Sequence, residues 1–170
     1  MRAVLSALLP AIAVLCSGPA VAQAPKSLGA FDKWGAFSYQ EQGKPVCYMA
    51  AQASEAKGGP PKRGEVFVMV THRPAQKAAD VVSYVAGYDL KAGSSVEASI
   101  GGQAFKMFVK GDRAWAPDEK TDKALVQAMI KGASLAFKGS PARGPDSADT
   151  VSLNGFGKAY QAISQACGVK

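Results

Sequence analysis

Cysteine placement limits this chain more than any other feature. The 170 residues hold three cysteines: Cys16, Cys47 and Cys167. Cys16 lies in an N-terminal stretch that reads as a signal peptide. Arg2 supplies the positive start, and residues 3–16 are apolar apart from Ser6, with one interruption at Pro10. Ala20, Val21 and Ala22 then form a small-residue cleavage site. Cleavage is expected after Ala22, because the alternative after Ala24 would leave Pro25 as the first residue. A membrane anchor would need a longer apolar run, of about 20 residues. Lipid attachment at Cys16 would need a small residue before it, where Leu15 stands. The expected organisation is therefore a signal peptide over 1–22 and one exported domain over 23–170. Cys47 and Cys167 remain in that domain, bound for an oxidising compartment, so a disulfide between them is expected. Two unpaired thiols are the other reading. If formed, the bond closes a loop of about 120 residues, a constraint of ~4–5 kcal/mol in the chain-entropy picture. That is a large part of the roughly 5–15 kcal/mol that holds a typical domain together.

The rest of the composition suits one β-rich unit. Hydrophobic residues make up 48% and charged residues 19%, which argues against disorder. Eighteen glycines and ten prolines imply many turns between short strands. The net charge of +7 falls to +6 once Arg2 leaves with the signal peptide. A basic domain favours anionic partners such as acidic glycans or lipid head groups. The lysines are dispersed, however, which equally fits an ordinary solvated surface.

Taken in order, residues 23–32 read as a flexible lead-in. Strands are expected over 33–40, with Trp34 and Phe37 as core candidates, and over 46–52. Residues 54–64 (S-E-A-K-G-G-P-P-K-R-G) read as a loop on composition. The strongest strand signal is 65–73 (E-V-F-V-M-V-T-H-R), stopped by Pro74. Further strands follow over 80–88, 95–100, 103–110 and 113–116, with Gly101-Gly102 as a two-residue hairpin turn. Residues 122–131 carry a helical pattern, Leu125/Met129 and Val126/Ile130, with Thr121 as the expected cap. Strands over 133–137 and 150–153 precede a glycine turn and a final helix, with Ala159, Tyr160 and Ile163 facing inward. The expected fold is mainly β: an antiparallel β-sandwich or barrel-like sheet of about 7–8 short strands with two short helices.

Candidate chemistry is sparse. His72 is the only histidine; beside Arg73 and Pro74 it reads as a surface residue at a strand end. A hydrolase using His72 or Ser54 is the weaker alternative, since no G-x-S-x-G elbow is present. Ser54 and Lys57 match S-x-x-K, but the partner motifs S-D-N and K-T-G are missing. Gly155 and Gly157 begin a G-x-G-x-x-G pattern that Tyr160 breaks. One histidine and two distant cysteines make no zinc site, and no cofactor is expected. Asp118, Glu119 and Asp122 cluster at a helix start, where they complement the dipole, with calcium as the lesser reading. Lys57, Lys62, Arg63, Arg73 and Lys77 form a basic neighbourhood, a candidate anion-binding set. The aromatic residues lack the basic interleaving of a nucleic-acid platform, so no nucleic acid is expected.

One set of segments carries a family resemblance. Trp34, Cys47, V-T-H-R-P (70–74), V-S-Y-V-A-G-Y (82–88), Ala114-Trp115, L-V-Q-A-M-I-K-G (125–132), D-T-V-S-L-N-G-F (149–156) and Cys167 occur in this order. Across residues 31–167 the chain resembles the invasion-associated locus B family, small exported proteins of Gram-negative bacteria. The resemblance implies a β-rich periplasmic or secreted protein of the cell envelope, linked by family name to host-cell invasion. It brings no catalytic residues to carry over. Many family members have extra cysteines in mid-chain and this one has none there, which leaves Cys47–Cys167 as the plausible link. The expected function is non-enzymatic: binding a protein or envelope partner, in host interaction or envelope integrity.

Overall fold

A computed structural model describes residues 24–169. The signal-peptide reading and its cleavage site lie outside these residues. Eleven strands form one continuous antiparallel sheet with the order β1-β2-β3-β5-β6-β9-β8-β7-β10-β11-β4. They are β1 (Lys26–Phe31), β2 (Trp34–Glu41), β3 (Lys44–Gln52), β4 (Glu55–Gly58), β5 (Phe67–Arg73) and β6 (Ala78–Val85). β7 (Ser95–Ile100), β8 (Gln103–Lys110), β9 (Arg113–Trp115), β10 (Ser134–Gly139) and β11 (Ser147–Ser152) complete it. Two helices, α1 (Glu119–Lys131) and α2 (Phe156–Cys167), pack against it.

Alternation explains the sheet. In β5, Val68, Val70 and His72 are buried while the residues between them are half-buried. In β8, Phe105 and Met107 point inward and Lys106 and Phe108 outward. One face thus supplies the core and the other meets solvent. The sheet does not lie flat. Tyr84 of β6 and Phe137 of β10 stack at 4.2 Å between ring centroids, although four strand spacings would separate flat strands by about 19 Å. Trp34 of β2 donates its indole N–H to the Ser152 carbonyl of β11 at 3.0 Å. The sheet therefore rolls around its core but stays open, with β1 at one edge and β4 at the other.

The expected class, mainly β and antiparallel with two helices, matches this fold; where a β-sandwich or a barrel-like sheet is expected, one open, rolled sheet is found. The strand number is eleven instead of about 7–8. Residues 26–31 form β1 where a flexible lead-in is expected, and 55–58 form β4 inside an expected loop. Every residue of β4 is exposed, so the segment carries no alternating apolar signal, only the pairing offered by β11. Phe37, a core candidate, lies instead on the outward face, stacked on Tyr48 at 5.2 Å.

The helices close the roll. α1 buries Leu125, Val126 and Met129. Its cap is Asp118, which accepts the Thr121 N–H at 2.7 Å; Thr121, the expected cap, lies inside the first turn, where its backbone is the donor. α2 begins at Gly155, whose φ of +87° suits glycine, and a Cβ there would sit 1.9 Å from the Phe31 carbonyl oxygen. Phe156, Ala159, Ile163 and Cys167 are its buried residues, while Tyr160 is half-buried. A disulfide joins Cys167 to Cys47 of β3, with Cα atoms 6.0 Å apart.

Candidate interaction face

Two buried polar clusters hold the residues most able to do chemistry. The first surrounds His72, which is fully buried, not at the surface as its sequence neighbours suggest. Its Nδ1 accepts the backbone N–H of Asp80 at 3.1 Å. The ring proton is thereby placed on Nε2, which lies 3.2 Å from Ser164 Oγ on α2. The Asp80 carboxylate accepts from Tyr160 Oη at 2.7 Å. Serine, histidine and aspartate meet here, but with the wrong polarity for a catalytic triad. A triad needs Nδ1–H on the carboxylate and a bare Nε2 facing the serine. Burial also lowers the His72 pKa below its ordinary 6.5, with the charge of Asp80 pulling the other way.

The second cluster surrounds Asp149, on the inner face of β11. Its Oδ2 pairs with Arg63 Nη2 and accepts the Tyr84 hydroxyl. Arg63 also donates from Nε to the Ala86 carbonyl at 2.9 Å and lies 5.0 Å over the Tyr88 ring. Tyr88 in turn bonds to Ser147 Oγ. Burial and the neighbouring carboxylate raise the Tyr84 pKa, so the phenol stays protonated and donates. This assembly ties the loop before β5 to the last strand, and every charge in it is opposed.

The candidate anion-binding residues are placed apart. Lys57 pairs with Glu55 at 2.7 Å, and Lys62 is exposed. Arg63 reaches the Lys57 carbonyl at 3.4 Å but spends its charge on Asp149. Arg73 lies at the far end of β5, 3.5 Å from Glu41 and 3.4 Å from Tyr39 Oη. The backbone N–H of Lys77 closes the turn at Pro74–Gln76. Ser54 donates its hydroxyl to the Thr150 carbonyl at 2.9 Å. Among the described residues no group of three or more histidines, cysteines or carboxylates is placed to hold a metal. No described helix is long and apolar enough to cross a membrane.

The outward face of the sheet is the most unusual surface. The strand registers place Ala50, Met69, Ser83, Trp115 and Phe108 in one row across β3, β5, β6, β9 and β8. The adjacent row runs Phe37, Tyr48, Thr71 and Val81. Ser83 is only 7% exposed, so larger neighbours close over it. At one end, Pro25, Tyr39, Tyr48, Met69, Thr71 and Arg73 line a cleft of about 280 Å³. At the other, Phe108 and Trp115 stack at 5.7 Å, and Phe108 is 49% exposed. A second cleft of about 210 Å³ opens beside them. Aromatic and methionine side chains gathered on a solvent-facing sheet suit binding to another surface. Alternation in β8 already assigns Phe108 to this face, opposite Phe105 and Met107; the row with Trp115 needs the register, which the sequence does not state.

Comparison with known proteins agrees with the fold. The family model described as "Invasion associated locus B (IalB) protein" matches residues 34–164. No curated protein matches the chain. A crystal structure of invasion associated protein B from Bartonella henselae superimposes with a TM-score of 0.58 at 19% identity. The match covers 85% of this chain and 97% of that one, and at this identity it speaks for the fold. The matched span runs from the first residue of β2 into α2, taking in both sides of the rolled sheet and both buried clusters, so this chain belongs to the invasion associated locus B family.

Proposed function

We propose that this protein is a non-enzymatic, exported binding protein that engages a protein partner in or beyond the cell envelope through its outward sheet face. The observation that carries the reading is the row of Met69, Trp115 and Phe108 on the solvent side of a sheet whose opposite face already supplies the core. A fold needs only one apolar face, and a second is a surface for something else. The proton on His72 Nε2 and the ion pair of Arg63 with Asp149 support a binding role over catalysis. The signal-like residues 1–22 and the Cys47–Cys167 bond support export to an oxidising compartment. A role in host interaction or envelope integrity follows the family's name. The basic set Lys57, Lys62, Arg63, Arg73 and Lys77 carries less support as an anion site, because Arg63 and Arg73 already face carboxylates.

Photo-crosslinking in the native bacterium tests the reading. A benzophenone amino acid placed singly at positions 48, 67 and 108 should give protein adducts, while one at exposed Gln127, on the solvent side of α1, should give none. Equal labelling at all four positions, or none at the first three, would defeat it.

A further inference from the structure

We infer that the Phe108–Trp115 pair and the cleft beside it form the seat for an apolar side chain presented by an acidic peptide segment of the partner. This rests on the binding-protein reading and specifies where and what it binds. Phe108 is one of two large hydrophobic side chains exposed among the described residues, and the other, Ile130, lies on α1. The cleft of about 210 Å³ is lined by Ser94, Ser95, Lys106, Met107, Phe108 and Pro117, and its surface is almost wholly carbon. That volume suits one buried side chain. A glycan would meet few hydrogen-bonding groups there, so the lining favours a peptide anchor over a sugar.

Charge supplies the rest. Lys106 and Lys110 flank Phe108 on the same face of β8, and Arg113 precedes Trp115 by two residues on β9. Lys138 joins them through the register, opposite Glu97. Nearby carboxylates are Glu97, opposite Lys106, Asp112, 3.8 Å from Arg113, and Asp118 and Glu119, which follow Pro117 of the cleft lining, Asp118 being engaged as the α1 cap. Among the described residues no carboxylate lies within 4.0 Å of the Lys106, Lys110 or Lys138 ammonium groups. An apolar anchor with cations at its rim matches a partner segment rich in Asp and Glu. β8 and β9 each have a bonded neighbour on both sides, so a partner strand cannot add here. Recognition must run through side chains.

The test uses the full chain in its native envelope. With p-benzoylphenylalanine at position 108, irradiation should yield an adduct whose peptide, read by mass spectrometry, carries an excess of Asp and Glu around an apolar residue. Adding Lys106→Glu and Arg113→Glu should cut the yield at least tenfold. A synthetic copy of that peptide should bind the purified protein, shift Trp115 emission, weaken with salt, and bind at least tenfold less tightly to Phe108→Ala. Phe108 faces solvent, so this variant should keep the wild-type Tm within a few degrees, and an equal loss with Tyr48→Ala would show that the effect is not local. An adduct to lipid or glycan, a peptide without acidic excess, or an indifferent Phe108→Ala would overturn the inference. Adducts at positions 48 or 67 but none at 108 would overturn it while leaving the binding-protein reading in place; none at any of the three would end both.

Discussion

Cys47 and His72 are cross-strand partners on β3 and β5, and each is held by α2, through Cys167 and Ser164 respectively. Residues three apart on one helical face thus meet two residues directly opposite each other in the sheet. The disulfide closes a span of 120 residues. Replacing both cysteines by alanine should lower stability by ~4–5 kcal/mol. Urea unfolding with and without reductant checks this: reductant should bring the wild type down to the double variant and leave the variant unmoved.

His72 makes stability depend on pH. Its folded pKa is depressed by burial, while the unfolded chain titrates near 6.5. Below 6.5 the unfolded state takes a proton that the folded state refuses, so stability falls as pH falls, by up to about 1.4 kcal/mol per pH unit. His72→Asn offers an oxygen to the Asp80 N–H and cannot titrate. It should be less stable than wild type at pH 8 but show a smaller loss on going to pH 5, measured by denaturant midpoints across that range.

Asp122 gives the opposite slope. It is buried and accepts the Val82 N–H at 2.8 Å. Burial, with help from Asp80, Asp118 and Glu119, pushes its pKa from 3.8 to about 6. The folded state therefore holds the proton more tightly than the unfolded one. This contribution is favourable below about pH 4 and is lost as pH rises to about 6. Asp122→Asn should stabilise the protein at pH 7.5 by about 2–3 kcal/mol and give no gain at pH 3.5. A gain independent of pH would refute the assignment.

Arg63 and Asp149 should behave as a unit. Arg63→Met leaves a buried carboxylate facing Tyr84 alone, a loss of about 3–5 kcal/mol. Pairing it with Asp149→Leu should recover much of that loss, because no charge is then stranded. Thermal unfolding of the two singles and the double completes the cycle.

Much of this was legible from alternation. Val68, Val70 and His72 share one parity in β5, and Asp149, Val151 and Leu153 share another near the C-terminus. Parity alone assigns His72 and Asp149 to the core, against the ordinary expectation that charged residues lie outside. The neighbouring Arg73 and Pro74 draw attention to a strand end and hide this. β4 was not legible, because four exposed residues have no buried parity. The partnership of Arg63 with Asp149 joins positions 86 residues apart, and only the roll of the sheet brings them together. The Phe108 surface lies between: its facing follows from β8, its neighbour Trp115 from the register.

The passage from β3 into β4 makes one edge of the sheet depend on the far end of the chain. After Gln52 the chain leaves the third position of the sheet and within a few residues lays down the far edge. That edge has nothing to pair with until β11 is made, and Ser54 waits for Thr150, 96 residues on. Trp34 waits longer, for Ser152, 118 residues on. Contacts of such long range form slowly. A chain cut before Ser147 would hold most of its strands, yet it would lack the second edge, the partner of Arg63 and the anchor of Trp34. One of the earliest segments of the chain thus depends on one of the latest for its only strand neighbour, so the intact C-terminal strand is needed to complete the sheet.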